Sequence, residues 1–510
     1  MLLARAAITT VKPFQNNYFH TASKSLSQCE PIVADLFTPK VHSSTPAEMA
    51  QATVLNALYK STIPQDQYDS LLQAKRSLIV PLGNINGREI QGFRVLHSNN
   101  LGPGKGGLRF HPNMDISTGQ SLATWMSLKC ALAGLPFGGA KGGINFPQGT
   151  SPAQRKQFTE QFTAELISKN ALGPYEDVPA PDVGTGPQEM KWIKNTYAAI
   201  TNDPNSSAVI TGKSIQDGGL LGRSPATGNG VVHSLKLLLE LKGETLQSKS
   251  VAVQGFGNVG RQTALKLYKL GAKVCCISDA KDAIYCADGL NVPALAAHFD
   301  KNYGSFQNFN GLGKVLGRDE ILEVKADVMI PAAIGTFKTE QGYQSVWNEN
   351  SAQHANFEYL IEGANEAVDS QAANLFKNNG VTVMPGMFAN SGGVITSFFE
   401  YACNILNISM TEPEVEKMMQ DYMQHSFACV IELIVKQPNL TFNEAALVVA
   451  LETIYGARLE NQAKSLTIEN RVDAGLDQFN QGLMSMREPA SIGAVFNSDK
   501  FDLSSTAAVG

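Results

Sequence analysis

The sequence predicts an α/β protein of two domains, the second of which is built on a Rossmann-like, doubly wound parallel sheet. The chain has 510 residues, which is enough for two domains with cores of their own. From about residue 250 to about residue 395, short apolar strands alternate with helices, a pattern typical of parallel sheets. A glycine-rich turn, GFGNVG at residues 255–260, lies between the first strand and the first helix of this stretch. These observations place the chain in the α/β class.

The bulk composition narrows the classes of function. Hydrophobic residues make up 43% of the chain and charged residues 17%, as in soluble globular proteins. A formal net charge of −5 argues against nucleic acid or an anionic membrane as the main partner. No apolar run approaches the roughly 18 residues that span a bilayer. The seven cysteines have neither CxxC nor another ligand spacing, so we predict reduced thiols and no metal site.

Residues 1–44 are set apart from the fold as an N-terminal extension. The first 29 residues contain no Asp or Glu, whereas Arg5, Lys12 and Lys24 supply positive charge. Ser and Thr are frequent, and MLLARAAITTV fits a short amphipathic helix, as in a mitochondrial transit peptide. Because there is a single arginine, the alternative of an extension on a cytoplasmic protein stays open.

Residues 45–220 are predicted to form the first domain. Its elements follow from apolar residues spaced three to four apart in helices and two apart in strands. In order, they are a helix over AEMAQATVLNALYKST, strands over SLIVPLG and EIQGFRVLHS, a helix from about Ser117 to Leu132, a helix over FTEQFTAELISKN that Asn170 ends, and a Pro/Gly-rich loop that leads into another helix.

Residues 221–395 are predicted to form the second domain, which interrupts the first. Its first elements, in order, are a helix from about Thr227 to Leu241, the strand Val251–Gln254, a tight turn over residues 255–260, the helix Arg261–Leu270, and the strand Lys273–Ser278, which delivers Asp279 at its end. This is a complete βαβ unit with GxGxxG between strand and helix, and its acid lies 19 residues after the last glycine. The pattern predicts a dinucleotide-binding domain.

Residues 396–510 are predicted to be helices that return to the first domain, followed by a tail. TEPE at residues 411–414 has the form of a capping box. A methionine-rich stripe from Met418 to Ile434 recurs at helical spacing, which indicates core or a subunit interface. AALVVALETIYGARLEN is a further helix, and after about Leu466 the helical signal fades.

Two lysines framed by glycines point to a binding site for anions. Lys105 lies in GPGKGG and Lys141 in GGAKGG, with Lys129 between them on an apolar stretch. Glycine allows a ligand to approach the backbone closely, and surface lysines need no such framing. A flexible loop would explain one such cluster, but not two within 37 residues. A small dicarboxylate needs about this many cations.

The segments GPGKGGLRFHP and LPFGGAKGGI resemble the two signature blocks of the glutamate/leucine/phenylalanine/valine dehydrogenases, and within that family those of the glutamate dehydrogenases. The resemblance covers roughly residues 50–460. It implies two domains that face a cleft, with residues 45–220 as the substrate-binding and oligomerisation domain. It also implies reversible oxidative deamination of L-glutamate to 2-oxoglutarate and ammonium, an NAD(P) cofactor and a homo-oligomer, which in the family's usual arrangement is a hexamer.

The resemblance also implies the catalytic residues. The lysine that matches Lys141 activates water and stabilises the carbinolamine, and the aspartate that matches Asp182, in VPAPDVGTG, exchanges a proton with the substrate nitrogen. An ordinary lysine has a pKa near 10.4 and is a poor base, so burial or neighbouring cations must lower the pKa of Lys141. Without the resemblance, Asp182 would be interpreted as a turn former.

The same comparison assigns the substrate contacts. The lysine matching Lys129 binds the α-carboxylate, while Lys105 and Ser397, in GGVITSFFE, match the residues that hold the side-chain carboxylate. Apolar residues tend to replace these last two in the branched-chain and aromatic members, so the sequence favours glutamate. Asn390, in FANSGG, is expected to support the same side of the substrate site. An apolar substrate would leave Lys105 desolvated without a partner.

The expected cofactor site follows the glycine turn. Gly255, Gly257 and Gly260 let the pyrophosphate approach a helix N-terminus. The other residues that match family positions along the dinucleotide are Thr227, Asn258, Val259 and Asn365. Asp279 would bond the ribose 2′-hydroxyl and repel a 2′-phosphate, which favours NAD; Lys281 lies close by, so NADP stays open.

Two positions depart from the family pattern. Gly386 stands where an aspartate is common, and Glu366 stands where a smaller or less charged residue is usual. Two alternatives to glutamate dehydrogenase also remain: a dehydrogenase for another amino acid, and a catalytically silent nucleotide-binding homologue.

Overall fold

Two sheets organise the part of the chain that the structure, a computed structural model, describes: residues 45–333, 335–339 and 342–487. The predicted N-terminal extension and the end of the tail lie outside the described residues. The mixed α/β architecture confirms the predicted fold class.

The first sheet has five strands in the order β1-β2-β4-β3-β5. Their bounds are β1 Arg76–Ile85, β2 Arg88–Ser98, β3 Gly104–Phe110, β4 Gly139–Ile144 and β5 Asp177–Pro181. Strands β1, β2 and β4 pair antiparallel, whereas β3 runs parallel to both β4 and β5. The glycine-framed lysines therefore lie on two adjacent central strands, and Asp182 follows directly on the third.

Five helices accompany this sheet: α1 Pro46–Leu58, α2 Asp69–Leu72, α3 Ile116–Leu132, α4 Pro152–Ser168 and α5 Pro187–Thr201. Helix α3 packs on β2 and β4. A glycine makes this packing possible, since a Cβ at Gly139 would lie 2.1 Å from the backbone nitrogen of Ser127. The close approach brings Lys129, on α3, beside Lys141, on β4.

The second sheet has seven strands in the order β14-β13-β10-β6-β7-β8-β9. Their bounds are β6 Ser250–Gln254, β7 Lys273–Ser278, β8 Asp282–Tyr285, β9 Lys314–Gly317, β10 Val328–Pro331, β13 Tyr359–Ile361 and β14 Thr382–Met384, and a separate hairpin pairs β11 Thr336–Thr339 with β12 Gly342–Ser345. Strands β6, β7, β10, β13 and β14 are parallel, as predicted. Strands β8 and β9 add an antiparallel edge.

The helices of this half are α6 Ala226–Lys242, α7 Asn258–Lys269, α8 Val292–Lys301, α9 Glu349–Ala352, α10 Ser370–Asn378 and α11 Gly386–Ala389. The predicted start of α7 at Arg261 was three residues too late. Residues 258–260 belong to the first helical turn, because the close approach of Gly260 to the Gly255 carbonyl lets the helix begin directly after Gly257.

The C-terminal helices are α12 Gly392–Leu406, α13 Glu412–Lys436, α14 Phe442–Lys464 and α15 Ile468–Arg487. Thr411 and Glu414 form the predicted capping box. The methionine-rich face of α13 is core, with Met418 and Met423 buried. Helix α14 packs on α1 and α3, so the chain does return to its first half.

Helix α15 corrects the prediction that the helical signal ends near Leu466. Its buried apolar residues are spaced four, three and four positions apart: Val472, Leu476, Phe479 and Leu483. This apolar stripe is narrow, and the polar side chains on either side of it make the segment look like a solvent-exposed tail in the sequence.

Within the described residues, none of the helices has both the length and the apolar character of a transmembrane span. The six cysteines in the same ranges are free thiols.

Candidate active site

Lys129 joins the two halves of the molecule. Its Nζ atom, at the C-terminal end of α3, donates hydrogen bonds to Asn365 Oδ1 at 3.0 Å and to Asn390 Oδ1 at 2.5 Å. Asn390 in turn donates through Nδ2 to the Gly363 carbonyl at 3.1 Å. A lysine predicted to bind substrate and an asparagine predicted to bind cofactor therefore meet directly.

Lys141 and Asp182, the predicted catalytic residues, form an ion pair. Lys141 Nζ lies 2.6 Å from Asp182 Oδ2, and Arg109 Nε, on β3, lies 3.5 Å from the same oxygen. Pro181 ends β5, and Asp182 begins a turn that the Thr185 hydroxyl closes by accepting from the Asp182 amide at 2.8 Å. Strands β4 and β5 flank β3, and a Cβ at Gly107 on β3 would lie 2.7 Å from Asp182 Cβ, so the two side chains meet over a glycine although they are 41 positions apart in the chain.

The electrostatics of this group suit proton transfer. Burial, with neighbouring Arg109, lowers the pKa of Lys141 despite the opposing charge of Asp182. Burial and the charge of Lys141 lower the pKa of Lys129 to about 8. Burial opposes ionisation of Asp182, but Lys141 and Arg109 outweigh it and hold its pKa below the ordinary value. The aspartate is therefore an anion and Lys141 is closer to neutrality than a surface lysine.

A second cationic cluster surrounds Lys105, whose side chain is 1% exposed. Lys105 Nζ donates to the Val178 carbonyl at 3.1 Å. Ser397 Oγ, on α12, accepts from Arg223 Nε at 3.0 Å. Burial and the positive charge of Arg223 lower the pKa of Lys105 to about 7. Buried Lys105, half-buried Arg223 and the Ser397 hydroxyl therefore form one positively charged cluster.

No carboxylate of the described residues forms an ion pair with Lys105 or Arg223. Glu400, which acts on both through its charge, is paired with Lys213 at 2.7 Å, and both side chains are fully buried. Glu400 also accepts from the backbone of Gly212 at 2.9 Å. The cluster keeps a net positive charge that an added carboxylate can neutralise.

The glycine turn has the shape that a dinucleotide needs. A Cβ at Gly257 would meet no atom within 4 Å, so open space lies before the first turn of α7. By contrast, a Cβ at Gly260 would lie 1.9 Å from the Gly255 carbonyl oxygen, and Gly255 has a φ of +98°. Asn258 and Val259 occupy the same helical turn. The backbone amides at this N-terminus can donate hydrogen bonds to a pyrophosphate.

Asp279 lies beside this turn, and Thr227 precedes Gly228, where a Cβ would lie 3.0 Å from the Val259 carbonyl oxygen. The amide of Gly255 donates to the Ser278 carbonyl at 2.9 Å, which places Asp279, the next residue, beside the turn. Asp279 Oδ1 accepts from the amides of Lys281 and Asp282 at 2.7 Å each. Thr227, at the start of α6, touches the first turn of α12, since a Cβ at Gly393 would lie 2.4 Å from its Oγ1.

Gly386 and Glu366, the two positions that depart from the family pattern, have different structural settings. Gly386 donates its amide to Glu362 Oε2 at 2.7 Å, and a Cβ there would lie 2.7 Å from the Ala364 carbonyl oxygen. A larger residue at this position would therefore displace the loop that carries Asn365. Glu366 has a φ of +55°, in the left-handed region.

Sequence reasoning missed two arginines of the site. Arg223 lies in GGLLGRSPATG and Arg109 in GGLRF, so both stand near glycines and within the same segments as predicted residues. Nearby glycines mark these two arginines in the same way as they mark Lys105 and Lys141, so a local signal for both was present in the sequence.

Matches to known protein families agree with this geometry. Residues 218–461 match Glutamate/Leucine/Phenylalanine/Valine dehydrogenase, and residues 77–199 match the Glu/Leu/Phe/Val dehydrogenase dimerisation domain. The chain belongs to this family. It is an oxidoreductase of the amino acid dehydrogenase class, and the family's cofactor is NAD(P).

Relatives of the family extend the comparison. A mitochondrial glutamate dehydrogenase of Dictyostelium discoideum is 35% identical over 366 residues, which make up 70% of each chain. The crystal structure of Plasmodium falciparum glutamate dehydrogenase is similar with a TM-score of 0.75 and 27% identity, covering 83% of this chain and 92% of that one. A leucine-bound hetero-hexameric glutamate dehydrogenase of Thermus thermophilus matches with a TM-score of 0.73 and 28% identity, covering 81% and 97%.

Proposed function

We propose that this chain is a glutamate dehydrogenase that interconverts L-glutamate with 2-oxoglutarate and ammonium. The observation that carries the proposal is the cluster of Lys105, Arg223 and Ser397, where a buried lysine and a half-buried arginine form no ion pair with a carboxylate among the described residues. An apolar side chain in this place would leave both charges desolvated, whereas the side-chain carboxylate of glutamate would pair with them. Selectivity for a diacid follows from that difference.

The α-carboxylate is assigned to Lys129. Its ammonium group already donates to two amide oxygens, those of Asn365 and Asn390, which fix its position at the cleft. A third donor direction remains for a carboxylate, since a lysine ammonium has three hydrogens. Lys129 and Lys105 then hold the two ends of the substrate and orient its α-carbon.

Lys141 and Asp182 are assigned the proton transfers. With its pKa lowered by burial, Lys141 can give up its proton and accept one from a water molecule that attacks the imine carbon. Asp182, held as an anion 2.6 Å from Lys141, would accept a proton from the substrate nitrogen. Arg109 interacts with the same Asp182 oxygen as Lys141 does, and its charge would keep Asp182 ionised between these steps.

The cofactor would lie at the glycine turn, with its pyrophosphate on the amides of residues 257–260. When bound, its nicotinamide ring takes up the hydride from the α-carbon. We infer a preference for NAD, because Asp279 Oδ2 can accept from a ribose 2′-hydroxyl while the carboxylate repels a 2′-phosphate. The exposed Lys281 nearby would weaken that repulsion, so NADP is the finer alternative to be measured.

The test is the reductive amination of 2-oxoglutarate with ammonium, followed by NAD(P)H absorbance with NADH and NADPH in parallel. We expect turnover with both the keto acid and ammonium required, and a higher kcat/KM with NADH. The leucine and phenylalanine keto acids serve as controls. A preference for either of them would overturn the role of the Lys105 cluster, and no turnover with any keto acid would favour the silent homologue.

Three further proposals accompany this function. The match to a dimerisation domain and the hetero-hexameric Thermus relative support assembly into a homo-oligomer, which we propose to be a hexamer. The acid-free N-terminus and the mitochondrial Dictyostelium relative support the mitochondrial matrix as the compartment. We also propose residues 45–220, 221–395 and 396–510 as the domain units. Light scattering, imaging of a fusion to residues 1–44 and limited proteolysis test them in turn.

A further inference from the structure

Glu366 occupies a place in the cleft that the proposed reaction leaves without a role. It follows Asn365, which accepts from Lys129 at 3.0 Å. Its backbone is left-handed, with φ +55°, and its carbonyl accepts from Ser345 Oγ at 3.0 Å. A non-glycine residue in this region costs conformational energy, and such positions cluster at functional sites.

The side chain of Glu366 reaches toward the other half of the cleft. Its carboxylate faces the indole N–H of Trp125, on α3, without ideal hydrogen-bond geometry. Trp125 and Lys129 are four residues apart on one helix and so share a face. Two consecutive residues, Asn365 and Glu366, therefore meet two consecutive turns of α3.

The Glu366 carboxylate also interacts electrostatically with Arg109, which lies beside the Lys141–Asp182 ion pair. Arg109 lies 3.5 Å from Asp182 Oδ2, and its charge also reaches the Glu366 carboxylate. The charge of one guanidinium thus acts on two acids from opposite sides of the cleft, and Asp182 is the one that forms the ion pair. Arg109 Nε has no hydrogen bond of good geometry in the described structure, so neither acid has taken up this donor fully.

We propose that Glu366 is a positioning residue, which holds the two walls of the cleft together through Trp125 and shares Arg109 with Asp182. Contacts of this kind are often long before substrate binds and shorten on closure. The proposal rests on the proposed function, since it needs Asp182 and Lys141 to act on a substrate in this cleft.

The charged groups around both acids define the pH dependence. Glu366 faces Arg109 on β3 and lies near Glu362 on its own segment; Asp182 faces Arg109, Lys141 on β4 and Lys129 on α3. Removing the charge of Glu366 leaves Arg109 to act on Asp182 and Lys141 alone. Both would then lose their protons at lower pH.

The experiment compares Glu366→Gln with Trp125→Phe in the full-length enzyme. For Glu366→Gln we expect kcat to fall about three- to tenfold and KM for glutamate to stay within about twofold, since no substrate carboxylate contacts this residue. Both limbs of the kcat/KM pH profile should move to lower pH by about 0.5 units. Trp125→Phe removes the N–H and keeps the charge, so it should lower kcat with unshifted limbs.

Two controls make the result specific. Glu358→Gln removes an exposed carboxylate that pairs with Lys249 at 3.3 Å, before β13, and should leave kcat and the profile unchanged. Glu366→Gly relieves the left-handed strain, so it should not lower the thermal unfolding temperature although it shifts the pH profile as Glu366→Gln does. A Glu366→Gln enzyme with wild-type kcat and pH profile would overturn the proposal, as would an equal shift in Glu358→Gln. A wild-type enzyme inactive on glutamate would instead reject the proposed function.

Discussion

Replacing Lys105 with methionine should remove most of the preference for glutamate. The methionine side chain keeps much of the buried volume but has no charge, so the substrate's second carboxylate would face Arg223 and Ser397 alone. Losing one partner of a desolvated, hydrogen-bonded charge pair costs about 2–5 kcal/mol. A central value of about 3 kcal/mol corresponds to a loss of about 150-fold in kcat/KM for glutamate.

The magnitude follows from the isolation of this side chain. Lys105 is 1% exposed, and its polar neighbours are a carbonyl oxygen and a second cation, so water does not replace a lost interaction. Leucine, which has no second carboxylate, should be turned over no worse than by the wild-type enzyme. The ratio of the two kcat/KM values should therefore fall by about two orders of magnitude.

The assay is steady-state oxidative deamination of glutamate and leucine with saturating NAD. Lys156→Met is the matched control, because Lys156 is an exposed lysine in a weak pair with Glu160 at 3.7 Å, and it should leave both substrates unchanged. A Lys105→Met enzyme that kept its glutamate kcat/KM within about threefold of wild type would refute the assignment of the second carboxylate.

Three other predictions concern protons, the base and the late helix. The enzyme should take up a proton when glutarate binds above pH 7, because the pKa of Lys105 is about 7 and a nearby carboxylate raises it. Calorimetry in buffers of different ionisation enthalpy, at about pH 6 and about pH 8.5, measures this uptake. Zero uptake at the higher pH would contradict the prediction. Lys141→Ala should lower kcat by at least about 10³-fold, while fluorescence titration should give an NADH Kd within about threefold of wild type. Full activity of this variant would reject the assignment of Lys141 as the base. Leu483→Ala, in α15, should lower the free energy of unfolding by about 2–5 kcal/mol in urea with kcat/KM unchanged, and an unaltered midpoint would mean that α15 adds nothing to the core.

The pH dependence of stability has a defined sign for Lys105. Its folded pKa, about 7, lies below the ordinary lysine value of 10.5, so the folded state binds fewer protons between these values and stability rises with pH across this window. Below pH 7 the penalty for burying the charge is fully present. Lys105→Met should therefore unfold at a higher temperature than wild type at pH 7, an effect opposite to its effect on glutamate turnover.

The sequence sufficed for features that depend on local spacing. The strand Lys273–Ser278 was predicted with its observed ends, since apolar strands between glycine turns have few alternatives. The pairing of β3 with β4 and β5 brings Lys141 to Asp182 and places Lys105 on the strand between theirs, and the motifs alone indicated the residues but not this register.

Features that depend on distant contacts escaped prediction. Glu400 accepts from the backbone amide of Lys213, 187 residues earlier, and no local pattern in either segment indicates that pair. The nearby glycines mark Arg223 as a candidate site residue, but its partner could not be predicted, because Ser397 meets it only when α12 packs against this segment. The helix α15 was missed since its narrow apolar stripe counts only when a surface exists to receive it.

A crystal structure of the wild-type protein with glutarate bound is the most direct test of the central claim, that two sets of cations hold the two ends of a diacid. We expect one carboxylate on Lys129, beside Asn390, and the other within about 3.2 Å of both Lys105 Nζ and the Arg223–Ser397 pair. Glutarate that contacts Lys129 alone, with Lys105 still bonded to the Val178 carbonyl, would contradict the account.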